Sequence, residues 1–413
     1  MDVIYKNVCG LDVHKKIIVA CILKIEETGE LKKEIRKYGT MTRDILALSD
    51  WMKQEGVTHV AMESTGVYWK PIWNILEGEF EVILVNAKHI KQVPGRKTDM
   101  KDSEWIAQLL QHGLLPRSFV PKREQRELRD LTRHRTKLVQ QKVSTANRIQ
   151  KTLEDANIKL SSVVTDILGV SGRAMIEDII AGEEDSNKLA ELARRKLRGK
   201  IPELKIALEG RVTEHHRFML RLLMKQLYEI ESFINEISMR IEEHFRPFED
   251  RVSPLTEIPG IKKQSVENII AEIGINMGQF PTDAHISSWA GVCPGNNESA
   301  GKHKSGKTTK GSIWLRRTLG QAAWAAVRTK NTYFSAQYKR IAARRGKNRA
   351  LIAVAHTILI IIYRMLKENK VYSELGSEHF IRLKPERHKK YHIKKLEALG
   401  YKVVLEEMEN DAA

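Results

Sequence analysis

The sequence predicts an α/β domain at its N-terminal end followed by a mainly helical remainder. Three observations carry that prediction. Residues 7–85 alternate apolar runs of strand length with two amphipathic helical stretches. Residues 117–157 and 220–241 then hold helical periodicity over many turns. From Leu255 onward the chain is helical again, but strongly basic. Its 413 residues leave room for two or three domains and a substantial core.

Taken in order, residues 7–14 and 17–23 read as two buried strands joined by a Lys-Lys turn. Leu31 to Tyr38 alternates, which suits an edge strand. A helix follows around Asp44 to Gln54, with Ile45, Leu48, Trp51 and Met52 on one stripe. Thr58 to Met62 is a fourth strand, ending at Glu63; Val67 to Leu76 is a helix and Glu81 to Val85 a fifth strand. A further helix carries Asp99 and Asp102 and stops at Gly113. Three antiparallel strands followed by alternating helices and strands is the order of a ribonuclease H-like (RuvC-like) domain.

That order brings four acids together. Asp12 lies in the first strand, on the face it shares with Val8 and Gly10, and Glu63 ends the fourth, where ligands gather in α/β sheets. Asp99 and Asp102 stand three apart, sharing a helical face that Asp102 extends into Trp105, Ile106 and Leu109, so one carboxylate is expected on the core-facing side. The plainer reading is that Asp99 caps the helix and Asp102 complements its dipole at the third helical position. Four converging carboxylates repel one another unless cations neutralise them, and all-oxygen donors suit Mg²⁺ or Mn²⁺. Hard cations of this kind beside phosphates mean phosphoryl transfer.

Charge points to the same substrate class. Lys and Arg number 70 against 52 Asp and Glu, a formal charge of +18, with a pI near 9.6. That balance favours nucleic acid as a partner. From Pro121 to Arg148 nine Lys or Arg, among them Arg129, Arg133 and Lys137, face three acids along a thin apolar seam. The helix is either a solvated face or a phosphate-contacting one. From Pro294 to Ala350 there are 14 Lys or Arg against Glu298 alone, including Lys302, Lys304, Lys307, Arg316 and Arg317. This is the best candidate for contact with a nucleic-acid backbone. Ser299 lies within it; by itself it reads as a loop residue, with no base nearby in sequence.

Leu220, Leu223, Leu227, Ile230, Ile234, Ile237 and Ile241 alternate spacings of three and four, a coiled-coil seam that packs within the chain or on another protomer. Gly169 to Gly172 and the charged stretch 182–200 interrupt the pattern before it. Ile258-Pro259-Gly260-Ile261 reads as half of a helix-hairpin-helix element able to hold a phosphate, or as an ordinary helix turn. Cys9, Cys21 and Cys293 have no paired spacing, so neither a zinc site nor a disulfide framework is expected. Ala350 to Tyr363 is uncharged but short for a membrane span, and reads as a buried helix of a cytoplasmic protein. The expected divisions are 1–116 (metal-binding), 117–250 (helical, coiled coil), 251–375 (C-terminal domain) and 376–413 (basic, then acidic tail).

Several of these stretches resemble one family. Gly10-Leu11-Asp12-Val13-His14-Lys15, Met62-Glu63-Ser64-Thr65-Gly66-Val67-Tyr68-Trp69, and Lys97-Thr98-Asp99 with Asp102 resemble the N-terminal domain of insertion-sequence transposases with an Asp-Glu-Asp-Asp site, also called bridge recombinases. Ile258-Pro259-Gly260-Ile261, Gly291-Val292-Cys293-Pro294 and Ser299-Ala300-Gly301-Lys302 resemble that family's C-terminal transposase domain, and Leu396 to Tyr401 its tail. At Glu298-Ser299-Ala300-Gly301 the chain departs from a commoner Ser-Ser-Gly-Gly-like run, while Ser299 keeps its distance from Pro294 and Lys302. The resemblance implies a DNA recombinase with a metal-binding tetrad (Asp12, Glu63, Asp99, Asp102) using Mg²⁺ or Mn²⁺, and Ser299 as covalent nucleophile. It further implies a structured guide (bridge) RNA pairing with donor and target DNA, a dimer or tetramer, no membrane, and a prokaryotic, nucleoid-associated location. Two other readings compete: a metal-dependent junction endonuclease hydrolysing DNA without a covalent intermediate, and a nucleic-acid scaffold without catalysis.

Overall fold

A computed structural model describes residues 3–64, 66–87, 90, 93, 101–294, 297–299, 302–305, 308, 310–383 and 385–405, with the backbone alone at 297–299, 302–305 and 387–388. The chain divides into two compact units, Met1–Pro121 and Lys122–Ala413.

The first unit is built on a five-stranded mixed sheet in the order β3-β2-β1-β4-β5. Its strands are β1 Asn7–Val13, β2 Ile17–Ile25, β3 Leu31–Gly39, β4 His59–Glu63 and β5 Glu81–Val85. The first three pair antiparallel, and β1, β4 and β5 run parallel. β1 and β2 are buried along both faces, which is why they read as continuous apolar runs. β3 is the edge, and its exposed Lys32, Lys33 and Lys37 discourage pairing with another chain. Helices cover both faces. Cys9, Leu11, Val60 and Met62 pack on α1 (Thr42–Gln54) and α2 (Trp69–Leu76), through Ile45, Leu48, Met52 and Ile72. Val8, Ala61, Ile83 and Val85 pack on α3 (Asp102–Gln111), through Trp105, Ile106, Leu109 and Leu110.

Gly10 sets how close α3 can lie. A Cβ there would stand 2.2 Å from the Ser103 carbonyl oxygen and 2.4 Å from the Ala107 nitrogen. Strand and helix backbones therefore touch at a point where no larger residue fits.

Two expectations for this helix need correction. It begins at Asp102, with Lys101 as its cap, so Asp102 is its first residue rather than its third. Asp102 is also exposed rather than core-facing. Side chains on a helix lean toward its N-terminus, so a residue in the first turn projects past the stripe packed on the sheet. Asp99 lies outside the described residues.

In the second unit, α4 (Arg123–Asp155) pairs with a later helix of similar length, Glu214–Phe245. Ile149 and Leu153 share a core with Leu220, Leu223 and Leu227, while Leu128 shares another with Ile241 and Phe245. The two helices are therefore antiparallel, and the three-four seam is satisfied within the chain. Leu220, Leu227 and Ile241 are fully buried; Ile234 and Ile237 are half-buried. The stretch between the long helices, where periodicity breaks down, holds α5 (Val170–Ala181), α6 (Ser186–Glu191) and α7 (Ile201–Ala207), closing one end of the pair. The Glu214–Phe245 helix is α8.

The other end meets α9 (Lys263–Ile273), α10 (Asp283–Ala290), α11 (Ile313–Arg328), α12 (Tyr333–Arg345) and α13 (Lys347–Glu368) around one core. α13 contains the uncharged run. Among the described residues it is the one helix long and apolar enough to cross a membrane, yet half of that stretch is buried, with Val354, Ile358, Leu359 and Ile362 in the core. α14 (Pro385–Ala398) is a largely exposed basic helix.

Gly10→Ala is expected to cost about 1–3 kcal/mol from overpacking. Urea unfolding measures it, and an unchanged midpoint at the same slope would contradict the close packing of strand on helix.

Candidate nucleic-acid-processing site

Strand register explains why three of the four acids lie toward one end of the sheet. In the parallel pair β1–β4, Gly10 lies beside Ala61 and Leu11 beside Met62. One step further, Asp12 and Glu63 fall side by side, on strands about 4.8 Å apart. Alternation places Asp12 on the face of Val8 and Gly10, and Glu63 on the face of Ala61, the face covered by α3. α3 opens with Asp102 at that same end of the sheet.

The electrostatics agree with this placement. Partial burial pushes the Asp12 carboxyl above its ordinary value, Asp102 and Glu63 add repulsion, and His14 opposes the shift. The His14 Nε2 stands 3.0 Å from Asp12 Oδ2. Among the described residues, no three His, Cys, Asp or Glu side chains are gathered at metal-binding distance. The donor chemistry nonetheless fits a hard divalent cation. The donors are carboxylate oxygens, and their mutual repulsion is the deficit a cation would relieve.

The basic residues are placed less uniformly. Ser299 ends β6 (Asn297–Ser299), which pairs antiparallel with β7 (Lys302–Ser305). The expected loop is thus a short hairpin, with Ser299 opposite Lys302 and a further bridge between Pro294 and Thr308. Lys304 is also on β7, while Lys307 lies outside the described residues. Arg316 is half-buried and Arg317 exposed at the start of α11.

Arg129 and Arg133 were expected on a nucleic-acid face; the structure commits both to α9 instead. Arg133 donates Nε and an Nη to the two carboxylate oxygens of Glu272, at 2.7 and 2.9 Å. Arg129 donates to the carbonyls of Ala271 and Glu272, and burial pulls its guanidinium down to about 10 against the opposing charge of Glu272. The physical reason is that Glu272 is 2% exposed, and a buried carboxylate must be paired. Lys137 alone of the three is exposed.

The phosphate reading of the Ile258-Pro259-Gly260-Ile261 turn also changes. A Cβ on Gly260 would meet the Ala322 carbonyl at 2.4 Å and the Ala326 nitrogen at 2.5 Å. The glycine there, at φ +87, lets the turn pack against α11.

Sequence reasoning overlooked His14 and Glu272. His14 was legible from its spacing, two residues beyond Asp12 on one strand face. Glu272 was legible as an acid in the apolar run of α9. Ser312 was not: its Oγ donates to Glu272 Oε2 at 3.1 Å while capping α11 through the Leu315 amide, a contact across 40 residues.

Carboxylates toward one end of a mixed sheet, on a chain that also carries a basic helical unit, fit an enzyme acting on nucleic acid. Comparisons with known proteins identify which kind. Residues 9–158 match a family model described as a transposase, of the IS110 DEDD type, and residues 252–339 match the model described as transposase IS116/IS110/IS902 family. A probable family 20 transposase of Pseudomonas aeruginosa is 24% identical over 370 residues, covering 88% of this chain and 97% of that protein. The transposase for insertion sequence element IS1111A of Coxiella burnetii is 23% identical over 226 residues, covering 54% of this chain and 62% of that protein. The chain is an insertion-sequence transposase. It belongs to the IS110/IS116/IS902 family.

Replacing Arg129 and Arg133 together by Gln strands the Glu272 carboxylate, and the expected loss is roughly 3–5 kcal/mol. Chemical denaturation of the double variant tests this, and wild-type stability would return the two arginines to the role of surface contacts.

Asp12 supplies a pH prediction of opposite sign to most carboxylates. An acid whose folded-state pKa is raised contributes stability below its unfolded pKa, and loses it as pH rises through the folded value. Asp12→Asn should therefore melt at or above wild type at pH 7 without metal, with the gap closing as pH falls into the carboxylate range. A variant that melts lower at pH 7 would contradict the assigned shift.

Proposed function

We propose that this transposase cuts and rejoins DNA through a covalent intermediate on Ser299, assisted by a divalent metal held by Asp12, Glu63, Asp99 and Asp102. The observation that carries the reading is that Asp12, Glu63 and Asp102 lie toward one end of β1 and β4, close enough for Asp102 and Glu63 to act on the charge of Asp12, as a ribonuclease H-like tetrad would require. The sheet order β3-β2-β1-β4-β5 supports that fold assignment. In this reading residues 1–116 are the metal-binding domain, 117–250 the coiled-coil region, 251–375 the domain bearing the serine, and 376–413 the tail.

The chemistry follows from the residues. A serine hydroxyl is a poor nucleophile at neutral pH without activation. Bound Mg²⁺ or Mn²⁺ would supply positive charge that lowers the hydroxyl's pKa and offsets charge on the phosphate. Ser299 Oγ gives up its proton and bonds to phosphorus as the bond from phosphorus to one sugar oxygen breaks, and the departing oxygen takes up a proton. One ester replaces another, so the bond energy is conserved and rejoining needs no external source. Lys302 and Lys304 would hold the phosphate as charge builds. Arg316, Arg317 and Lys137 would contact the nucleic-acid backbone more broadly.

The motifs shared with the bridge recombinases support a structured guide RNA as second partner, pairing with donor and target DNA. Exchange between two duplexes requires more than one protomer, so a dimer or tetramer is the working form.

On a nicked suicide substrate with Mg²⁺, wild type should form an adduct that mass spectrometry maps to Ser299. Ser299→Ala should lower cleavage roughly 10⁴–10⁶-fold, the scale for losing a nucleophile, with DNA binding retained. Undiminished cleavage in Ser299→Ala, or an adduct elsewhere, would replace this reading with hydrolysis at the carboxylates alone.

A further inference from the structure

The segment between the two long helices contains a basic cleft that neither the family motifs nor the serine chemistry uses. Its two walls are residues 163–172 and 194–200, enclosing about 590 Å³. The cationic wall presents Arg194, Arg195, Lys196 and Lys200. The walls are pinned together: the Arg194 amide donates to Ser171 Oγ at 3.0 Å, and Lys200 Nζ donates to the Val163 carbonyl at 3.2 Å. Beneath them Met175, Ile176, Ile179, Leu189, Ala190 and Ala193 are buried in one core, so the cleft has a fixed floor.

What distinguishes this wall is three successive cations without acids, gathered on one cleft. Several basic groups in and beside this segment are paired: Lys159 with Glu154, Arg173 with Glu231, Lys188 with Glu183 and Arg198 with Glu191. Arg194, Arg195 and Lys196 are exposed and have no carboxylate partner among the described residues. The one acid lining the cleft, Asp166, is turned to its own wall, where Oδ1 accepts from the Leu168 amide at 3.0 Å. Arg195 is held at φ +53, a left-handed conformation that costs an arginine energy and persists where the surrounding structure demands it. Opposite, α5 starts at Val170 without a side-chain cap, so its first-turn amides add donors to the same space.

We propose that this cleft binds the phosphodiester backbone of a nucleic acid. Planar guanidiniums suit paired phosphate oxygens, and the volume exceeds what a single phosphate fills. The proposal takes from the transposase reading only the choice of polyanion. It is a contact point distinct from Ser299 and its hairpin, on a different part of the second unit.

The test uses full-length protein, with Arg194, Arg195 and Lys196 all replaced by Gln, binding a labelled DNA duplex and a labelled structured RNA from 50 to 200 mM salt. Each lost phosphate contact flattens the slope of log K against log salt by about 0.7–0.9. A drop of about 2–3 is expected for the polyanion that occupies the cleft, and whichever slope changes identifies DNA or RNA. A control replaces Lys151, Arg211 and Lys225 by Gln, removing the same charge elsewhere in the unit. Equal changes in variant and control, or none in the variant at unchanged melting temperature, would overturn the proposal. Adduct formation at Ser299 is scored separately, so failure of the cleft leaves the catalytic reading standing, and loss of the adduct does not touch the cleft.

Discussion

Backbone contact between β1 and α3 at Gly10 governs the geometry of the carboxylate site. A strand and a helix can approach this closely only where no Cβ intervenes, and here both the Ser103 carbonyl and the Ala107 amide occupy the space a side chain would need. Asp12 follows Gly10 by two residues on the same face, and Asp102 precedes Ser103 at the head of the helix. Fixing the contact fixes both carboxylates relative to each other. Parallel pairing of β1 with β4 then adds Glu63 without further design, since its register is set by the residues before it. Partial burial is the main reason the Asp12 carboxyl is raised, and the negative charges of Asp102 and Glu63 add to it.

The second unit rests on a different constraint, the neutralisation of acids buried at the foot of its long helices. Glu272 is held by Arg129 and Arg133, and Glu267, also buried, is met by Arg135 at 2.6 Å. Apolar contact alone would allow α4 to slip by a turn against α9. Ion pairs in a low-dielectric setting tolerate no such slip, because each misplaced partner leaves a charge unpaired. Ser312 joins the network through Glu272, so the start of α11 is tied to the same point. The positive charge of α4 is therefore partly internal to the fold, and its size overstates what is left for nucleic acid.

For a transposase this separates two demands that compete for the same residue types. Arginines that lock helices cannot also follow a mobile polyanion. Cations that serve nucleic acid must stay unpaired, as Arg194, Arg195 and Lys196 do at the distal cleft. Such residues carry mutual repulsion until the ligand arrives.

The sequence by itself determined the first unit's elements and their order, because burial on one or two faces leaves a period that survives without knowledge of partners. The five strands, both flanking helices and the seam from Leu220 to Ile241 were all legible in that way. It also determined which acids to watch, since strand parity puts Asp12 on the face of Gly10. Tertiary structure alone decided what those charges do. Arg129 and Arg133 look like any basic helix face until Glu272 arrives from a helix more than a hundred residues later. The exposure of Asp102 depended on where α3 starts, and the role of Gly260 on the α11 backbone packed against it. The physical reason is range: hydrophobic periodicity is a local property of the chain. The partner of a charge or the neighbour of a glycine is set by distances that exist only once the chain has closed on itself.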